Sequence, residues 1–498
     1  MYKNGQGVEK DDEKAKSNFT KSFYTLSRLA EEGNSESQYY LSLMFFYGYG
    51  CKEDLVKSFE WCKKSAEQGN SEAQLNLAKM YRNGNGVNRD FFKAVEWLNK
   101  SAEKGNVDSK YLLANMYKLG RGVDKDDEEA EKYYKEAFIE YSKFAENGAC
   151  LAQNKLGFMY CEGKGVEQDY CRAFEWYKKS AEQGFAAAQL FLANMYFEGK
   201  GVEQDYKKAL EWFKKSAEQG DDYAGCLIGF MYKNGVGIDQ DYKEAFEWFS
   251  KSAEQGNEFS QLFLAIMYEK GLGIKRDYSN AIKYYRKSSE KGNALAQYRL
   301  GEIYSRGLGV SIDIEEANKC YIKSFESYKN EADIEDSVAQ CNLGVMYEDG
   351  KGVEQDYTKA FEWFSKAAEQ EQFFALYYLA CLYLQGLGTE KNEKEAEKYF
   401  VKALEYTDEL EQQDLGLCHL GDMYLRGLGT KQDYSKAFEY YSKSAERYND
   451  IAEYNLGKIY EQGLGVEQDI NKAIEYYKLS AEQGNKEAKQ ALERLENK

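Results

Sequence analysis

The chain has 498 residues with no proline, ten cysteines and a single histidine, and 85 acidic against 67 basic side chains give a net charge of −18. Such an excess of negative charge repels phosphate backbones, and no lysine or arginine cluster relieves it, so nucleic acid and anionic membrane surfaces are excluded as expected partners. No apolar run approaches the ~20 residues needed to cross a bilayer, and no signal-peptide core follows Met1.

The cysteines are scattered through the chain without a C-x-x-C pair, which points to free thiols in a reducing compartment and gives zinc or any other cofactor no support. The cytoplasm is the expected location.

A chain of this length would ordinarily split into several domains, yet no Pro/Gly/Ser-rich linker interrupts it. Instead a Gly-x-Gly turn occurs thirteen times, and eight of the twelve spacings are 36 residues, three are 43 and one is 41. Self-similarity at this period marks a solenoid, in which each unit buries its apolar face by stacking on its neighbours. The expected organisation is one continuous all-α array over residues 1–498.

In chain order, Met1-Tyr-Lys-Asn-Gly5 repeats Met231-Tyr-Lys-Asn-Gly235, so the chain is expected to begin part-way through a first helix, with residues 1–33 forming an incomplete first repeat. The unit from Ala73 to Gly105 shows the full pattern. Leu77, Ala78 and Tyr81 lie on one face of a short helix, and Gly84 and Gly86 end it in a turn. Asp90 stands at the N-cap of a second helix carrying Ala94, Trp97, Leu98 and Ala102.

All six tryptophans (Trp61, Trp97, Trp176, Trp212, Trp248 and Trp363) fall thirteen residues after their turn's first glycine, where Tyr133, Tyr284, Tyr399, Tyr440 and Tyr476 stand in other units. They are read as a buried aromatic wedge between helices.

The longer spacings lengthen second helices. An insertion of seven residues is about two helical turns and rotates the apolar face by only ~20°, so long helices are expected over 12–31, 127–146 and 314–331. A less regular one is expected over 393–412. Residues 487–498 keep first-helix spacing with a charged outer face and form a C-terminal cap. Twelve hairpins, one preceding second helix and this cap make an expected total of 26 helices.

The repeated string A-x-x-x-L-G-x-M-Y-x-x-G-x-G-V-x-x-D-Y-x-K-A-x-x-W-x-x-K-S-A-E-Q-G resembles the Sel-one-like repeat family, relatives of the tetratricopeptide repeat. Good copies run from Leu156-Gly-Phe-Met-Tyr160, Leu343-Gly-Val-Met-Tyr347 and Leu456-Gly-Lys-Ile-Tyr460. The resemblance implies a right-handed α/α superhelix acting as a non-enzymatic adaptor or scaffold. It also admits a role in a membrane-associated protein-degradation complex of the endoplasmic reticulum, with an anchor upstream. The paired cysteines of the family's secreted branch are missing here, which weakens an extracellular assignment.

Candidate chemistry is sparse. The Gly-x-Gly turns follow helices and lack the third glycine of a dinucleotide loop. Ser101-Ala-Glu-Lys104 and Ser288-Ser-Glu-Lys291 match the S-x-x-K of penicillin-binding hydrolases, but both are copies of the repeat ending and no companion K-T-G or S-D-N occurs.

His419 occupies a register that elsewhere holds Asn76, Leu112, Phe191 or Tyr378, the variability of a solvent or groove position. The remaining signal is a stripe nine, five and two residues before each turn glycine. In related solenoids it faces the concave groove. It carries Phe158, Asn194, Phe197, Phe230, Lys233, Ile266 and Glu269, then Tyr377, Cys381 and Leu384. The expected partner is a helical or extended protein segment with basic flanks, attracted by the surrounding acidity.

Overall fold

The computed structural model describes residues 12–332, 336–410 and 413–496. The Gly5-x-Gly7 turn, residues 1–11 of the first repeat expected to be incomplete, residues 411–412 of the expected helix over 393–412 and the last two residues of the expected cap lie outside them. Every described element is helical, and the chain divides into two compact units, Met1–Ala224 and Gly225–Lys498.

The first unit holds α1 (Asp12–Glu31), α2 (Ser35–Tyr47), α3 (Leu55–Glu67), α4 (Ser71–Asn83), α5 (Phe91–Glu103) and α6 (Val107–Leu119). It continues with α7 (Asp127–Glu146), α8 (Cys150–Glu162), α9 (Tyr170–Glu182), α10 (Ala186–Glu198) and α11 (Tyr206–Glu218). The division falls inside α12 (Asp222–Asn234).

The second unit holds α13 (Tyr242–Gln255), α14 (Glu258–Lys270), α15 (Tyr278–Glu290), α16 (Ala294–Arg306), α17 (Ile314–Ala332), α18 (Ser337–Asp349) and α19 (Tyr357–Glu369). Then follow α20 (Phe373–Gln385), α21 (Glu393–Leu404), α22 (Asp414–Arg426), α23 (Tyr434–Ala445), α24 (Asp450–Gln462), α25 (Ile470–Glu482) and α26 (Lys486–Glu496). The described α-helices number 26, as the repeat arithmetic expects. None of them is long and apolar enough to cross a membrane.

Each hairpin is built by the same local chemistry. Gly84 takes φ +80°, and its N–H donates to the Met80 carbonyl at 2.8 Å, closing α4. Asp90 is extended at φ −147° and its Oδ1 accepts from the Lys93 N–H at 3.0 Å, opening α5. A cap of this kind contributes about 1 kcal/mol, and aspartate or asparagine occupies the place in the other described second helices that have a resolved cap, for example Asp169, Asp356 and Asn392. Two marginal helices thus become one defined hairpin, and the apolar faces of successive hairpins pack into the shared core.

The core differs from the expected aromatic wedge by one residue. The fully buried aromatic stands fourteen residues after the turn glycine: Tyr177, Phe213, Phe249, Phe364, Phe400 and Tyr477 are all at most 2% exposed. The tryptophans, one position earlier, are only partly buried. A lysine three residues on lies over each indole, as Lys100 over Trp97 at 4.1 Å and Lys215 over Trp212 at 3.7 Å. One step along a helix rotates a side chain by ~100°, enough to carry the indole from the core centre to its rim, where a cation can cover its outer face.

The expected long second helices over 12–31 and 127–146 are α1 and α7, and that over 314–331 is α17, which ends one residue later. The fourth is not. α21 stops at Leu404 and a 3₁₀ turn, Thr407–Leu410, follows. Here the insertion is five residues, not seven. Five residues turn a helix by about 140° beyond a whole revolution, which would have swung the apolar stripe away from the core. The chain breaks instead, and Leu410 returns to the core at 1% exposure.

Candidate functional site

The second unit closes on itself after four hairpins. Lys270, the last residue of α14, pairs with Asp414, the first of α22. Arg306, the last of α16, pairs with Asp450, the first of α24, at 3.4 Å. Both pairs join residues 144 apart in sequence. The carboxylates sit at helix N-termini, where the helix dipole favours negative charge.

Between these contacts lies a cavity of about 750 Å³. Its walls come mainly from first helices: α14, α16, α18, α20, α22 and α24. Leu295, Val338, Phe374, Leu415 and Ile451 supply apolar lining from one shared register, twelve residues before the turn glycine. Val338, Leu415 and Ile451 remain 57%, 36% and 44% exposed, so their apolar surface is presented rather than spent on the core.

Fixed charges punctuate this lining. Lys351 reaches Glu302 at 3.0 Å, Asp349 at 2.9 Å and the Tyr298 hydroxyl at 2.8 Å. Glu302 also pairs with Arg306 at 2.9 Å and accepts from the Tyr321 hydroxyl at 2.6 Å. Burial alone would raise the Glu302 carboxyl, but Lys351 and Arg306 outweigh it and hold the group below the usual carboxylate range. Arg299 lies among Glu269, Asp414 and Glu302; burial disfavours its charge, but these acids more than compensate and it stays protonated. Among the described residues its Nε has no hydrogen-bond partner. Glu348 is pushed up to about 7, first by burial and then by Asp349.

The residues singled out from sequence fall in both units. In the first, Phe158, Asn194 and Phe197 are half-buried; Lys164 lies over the Phe158 ring at 4.9 Å, and Phe197 meets the Tyr206 ring at 5.3 Å. In the second, Phe230 and Ile266 pack partly against the core. Lys233 is half-buried, its ammonium pKa lowered by burial, and it donates to Asn234 at 3.1 Å. Tyr377 is buried at 6% and donates to Asp422 at 2.9 Å, while Cys381 and Leu384 lie partly covered against the same core. Glu269, which accepts from the Tyr285 hydroxyl, is the one of these that lines the cavity.

The cavity register most visible in sequence was the variable one eight residues before the turn, noticed through His419: Arg299, Asn342 and Tyr378 share it and line the cavity. His419 itself is no solvent position. It stacks on Tyr377 at 4.2 Å and contacts the Tyr378 hydroxyl at 3.2 Å, and burial lowers its pKa to about 3, so it is neutral.

The S-x-x-K serines are structural. Ser101 and Ser288 are 0% exposed, and their hydroxyls donate to the Ser71 and Glu258 carbonyls at 2.8 and 3.0 Å. The same bond recurs at Ser65, Ser180, Ser324 and Ser480, always across 30 residues. A proton committed in this way to a main-chain oxygen is not available for nucleophilic activation by a base.

The Sel1 repeat profile matches thirteen successive segments of the chain: residues 1–23, 35–70, 71–106, 107–138, 150–185, 186–221, 224–257, 259–293, 294–327, 337–371, 374–405, 415–449 and 450–485. Among solved structures, the chain is 34% identical to c5321, a protective antigen of uropathogenic Escherichia coli with an SLR fold, over 88% of this chain and 93% of that one, with a TM-score of 0.41. It is 32% identical to a Sel1 repeat protein from Oxalobacter formigenes, over 53% of this chain and 100% of that one, with a TM-score of 0.43. No curated protein matches the chain.

Proposed function

The chain belongs to the Sel1 repeat family, and we propose that it is a non-enzymatic protein-interaction scaffold that holds an extended segment of another protein in the cavity of its second unit. The observation that carries this reading is the cavity itself, about 750 Å³ lined by first helices, with Val338, Leu415 and Ile451 presenting apolar surface among fixed charges. A concave site with apolar walls and a few oriented polar groups suits a ligand. A peptide in extended form could lay one apolar side chain on that wall while its polar groups meet the charged rim.

The position of the serines and the neutral, stacked histidine argues against hydrolytic chemistry at the residues that sequence had offered for it. Among the described residues no group of three or more His, Cys, Asp or Glu side chains could hold a metal ion.

The test is selection of binders from a random linear peptide display library, followed by titration of the selected peptides against the wild-type chain and the Val338→Asp/Ile451→Asp variant. Both side chains are largely exposed, so the variant is expected to keep its helical circular dichroism and melting temperature, since exposed substitutions usually change stability by under ~0.5 kcal/mol. Affinity is expected to fall at least about tenfold, or ~1.4 kcal/mol. Peptides that bind both proteins equally would place the site elsewhere.

A further inference from the structure

Among the described residues, six carboxyl groups line the cavity, Glu269, Glu302, Glu348, Asp349, Asp414 and Asp450, against four cations, Lys270, Arg299, Arg306 and Lys351. The cations are already opposed. Lys270 has Asp414, Arg306 has Glu302 and Asp450, and Lys351 has Glu302 and Asp349. Arg299 sits in the combined field of Glu269, Asp414 and Glu302. An anionic ligand would have to displace a carboxylate from one of them, losing about as much as it gained.

Glu348 stands apart. Among the described residues its carboxyl has neither an ion pair nor a side-chain hydrogen bond, although it is half-buried on α18. Tyr378 on α20 and Cys341 on its own helix lie within its electrostatic reach, as does Cys381 on α20. An unpaired carboxyl held away from water is costly in its charged form. A cation brought to it removes that cost, and a tyrosine ring beside it adds attraction for the same charge.

We propose that the cavity selects a peptide segment carrying a lysine or arginine, whose charged end meets Glu348 while a neighbouring apolar side chain lies on Val338, Leu415 and Ile451. This rests on the scaffold reading above. The net charge of −18 also favours encounter with basic segments.

The selection carries a pH signature. Glu348 titrates near 7, so its carboxylate, and with it the affinity for a basic segment, is lost as pH falls through that value. The other ionisable groups on the neighbouring cavity walls are Asp349 and Cys341 on α18, Tyr298, Arg299, Glu302 and Arg306 on α16, Tyr328 on α17, Tyr378 on α20 and Lys351 of the following turn, with Cys381 on α20 also within its electrostatic reach. Of these, Glu302 titrates below the usual carboxylate range, and Cys341, Cys381 and the tyrosines are pushed upward by burial.

Peptides selected by display on the full-length wild-type chain should be enriched in lysine or arginine beside an apolar residue. Isothermal titration of a selected peptide should show about tenfold weaker binding at pH 6 than at pH 8. Glu348→Gln should bind it at least about tenfold more weakly at pH 8 and lose most of the pH dependence. Because Glu453 also titrates near 7, the pH effect is read as the difference between wild type and Glu348→Gln. Selected peptides without a basic residue, or basic peptides that bind Glu348→Gln as well as wild type, would overturn the charge assignment and leave the groove reading standing. A library that yields no binder at all would overturn both.

Discussion

Six residues before each turn glycine the chain carries glycine, alanine or serine in every described repeat, among them Ser42, Ala78, Ala193, Gly344 and Gly457. The reason is the buried side chain fourteen residues after the turn, Cys62 and Leu98 in the first two described repeats and an aromatic ring in the later ones. A Cβ built on Gly344 would lie 2.5 Å from Phe364 Cε1, and one on Gly457 the same distance from Tyr477 Cε1. Gly344→Val therefore forces the Phe364 ring out of its place, and overpacking of this kind costs about 1–3 kcal/mol. The ~1 kcal/mol that helix propensity returns when glycine is replaced does not offset it fully, the less so for a β-branched side chain. A lowered urea midpoint is the expected result; an unchanged or raised one would show that ring and helix can separate freely. At this scale the sequence was mostly legible: Leu77, Ala78, Ala94 and Leu98 are all at most 1% exposed. The tryptophans were conspicuous by rarity, and rarity drew attention one position away from the residue that fills the core.

Helices are tied across the repeat by side chains that periodicity does not reveal. Gln153 donates to the Ala145 carbonyl of α7 at 3.1 Å and accepts from Gln183, at the end of α9, at 2.7 Å. Gln38 with Ala30 and Gln68, and Gln189 with Ala181 and Gln219, repeat this relay. α24 carries Glu453 in that register, 2% exposed and accepting from Gln483 at 2.7 Å. Burial pushes it up to about 7, the hydrogen bond from Gln483 opposing that shift.

Its folded pKa is above its unfolded value of ~4.3, so its contribution to stability is complete below that value and is lost as pH rises through about 7. Glu453→Gln removes the titration and supplies a donor toward the preceding helix. The variant should be more stable than wild type at pH 8, by roughly 3–4 kcal/mol, with the gap shrinking toward pH 5. Equal pH slopes for the two proteins would contradict this. The S-A-E-Q-G ending was visible in sequence as a repeat, but its two hydrogen-bonding duties join residues 30 apart and show only when the hairpin is closed. The interruption after α21 had a signal, the spacing of 41 in place of 43, because five inserted residues cannot keep an apolar stripe in register.

At the scale of the whole molecule, period and turn chemistry prescribe a helical solenoid almost without tertiary information, since each hairpin repeats one local solution. The candidate site was less legible. Its closure depends on Lys270 meeting Asp414 and Arg306 meeting Asp450 across 144 residues, a distance at which no sequence pattern speaks. The groove stripe read from sequence included Glu269 but not the register of Val338, Leu415 and Ile451, which looks like ordinary helix surface until the unit closes around it.

The measurement that tests the central claim most directly is hydrogen–deuterium exchange of the full chain with and without a display-selected peptide. Protection confined to α16, α18, α22 and α24 around the cavity is the predicted footprint. Protection on the second helices, or in Met1–Ala224 alone, would contradict the account.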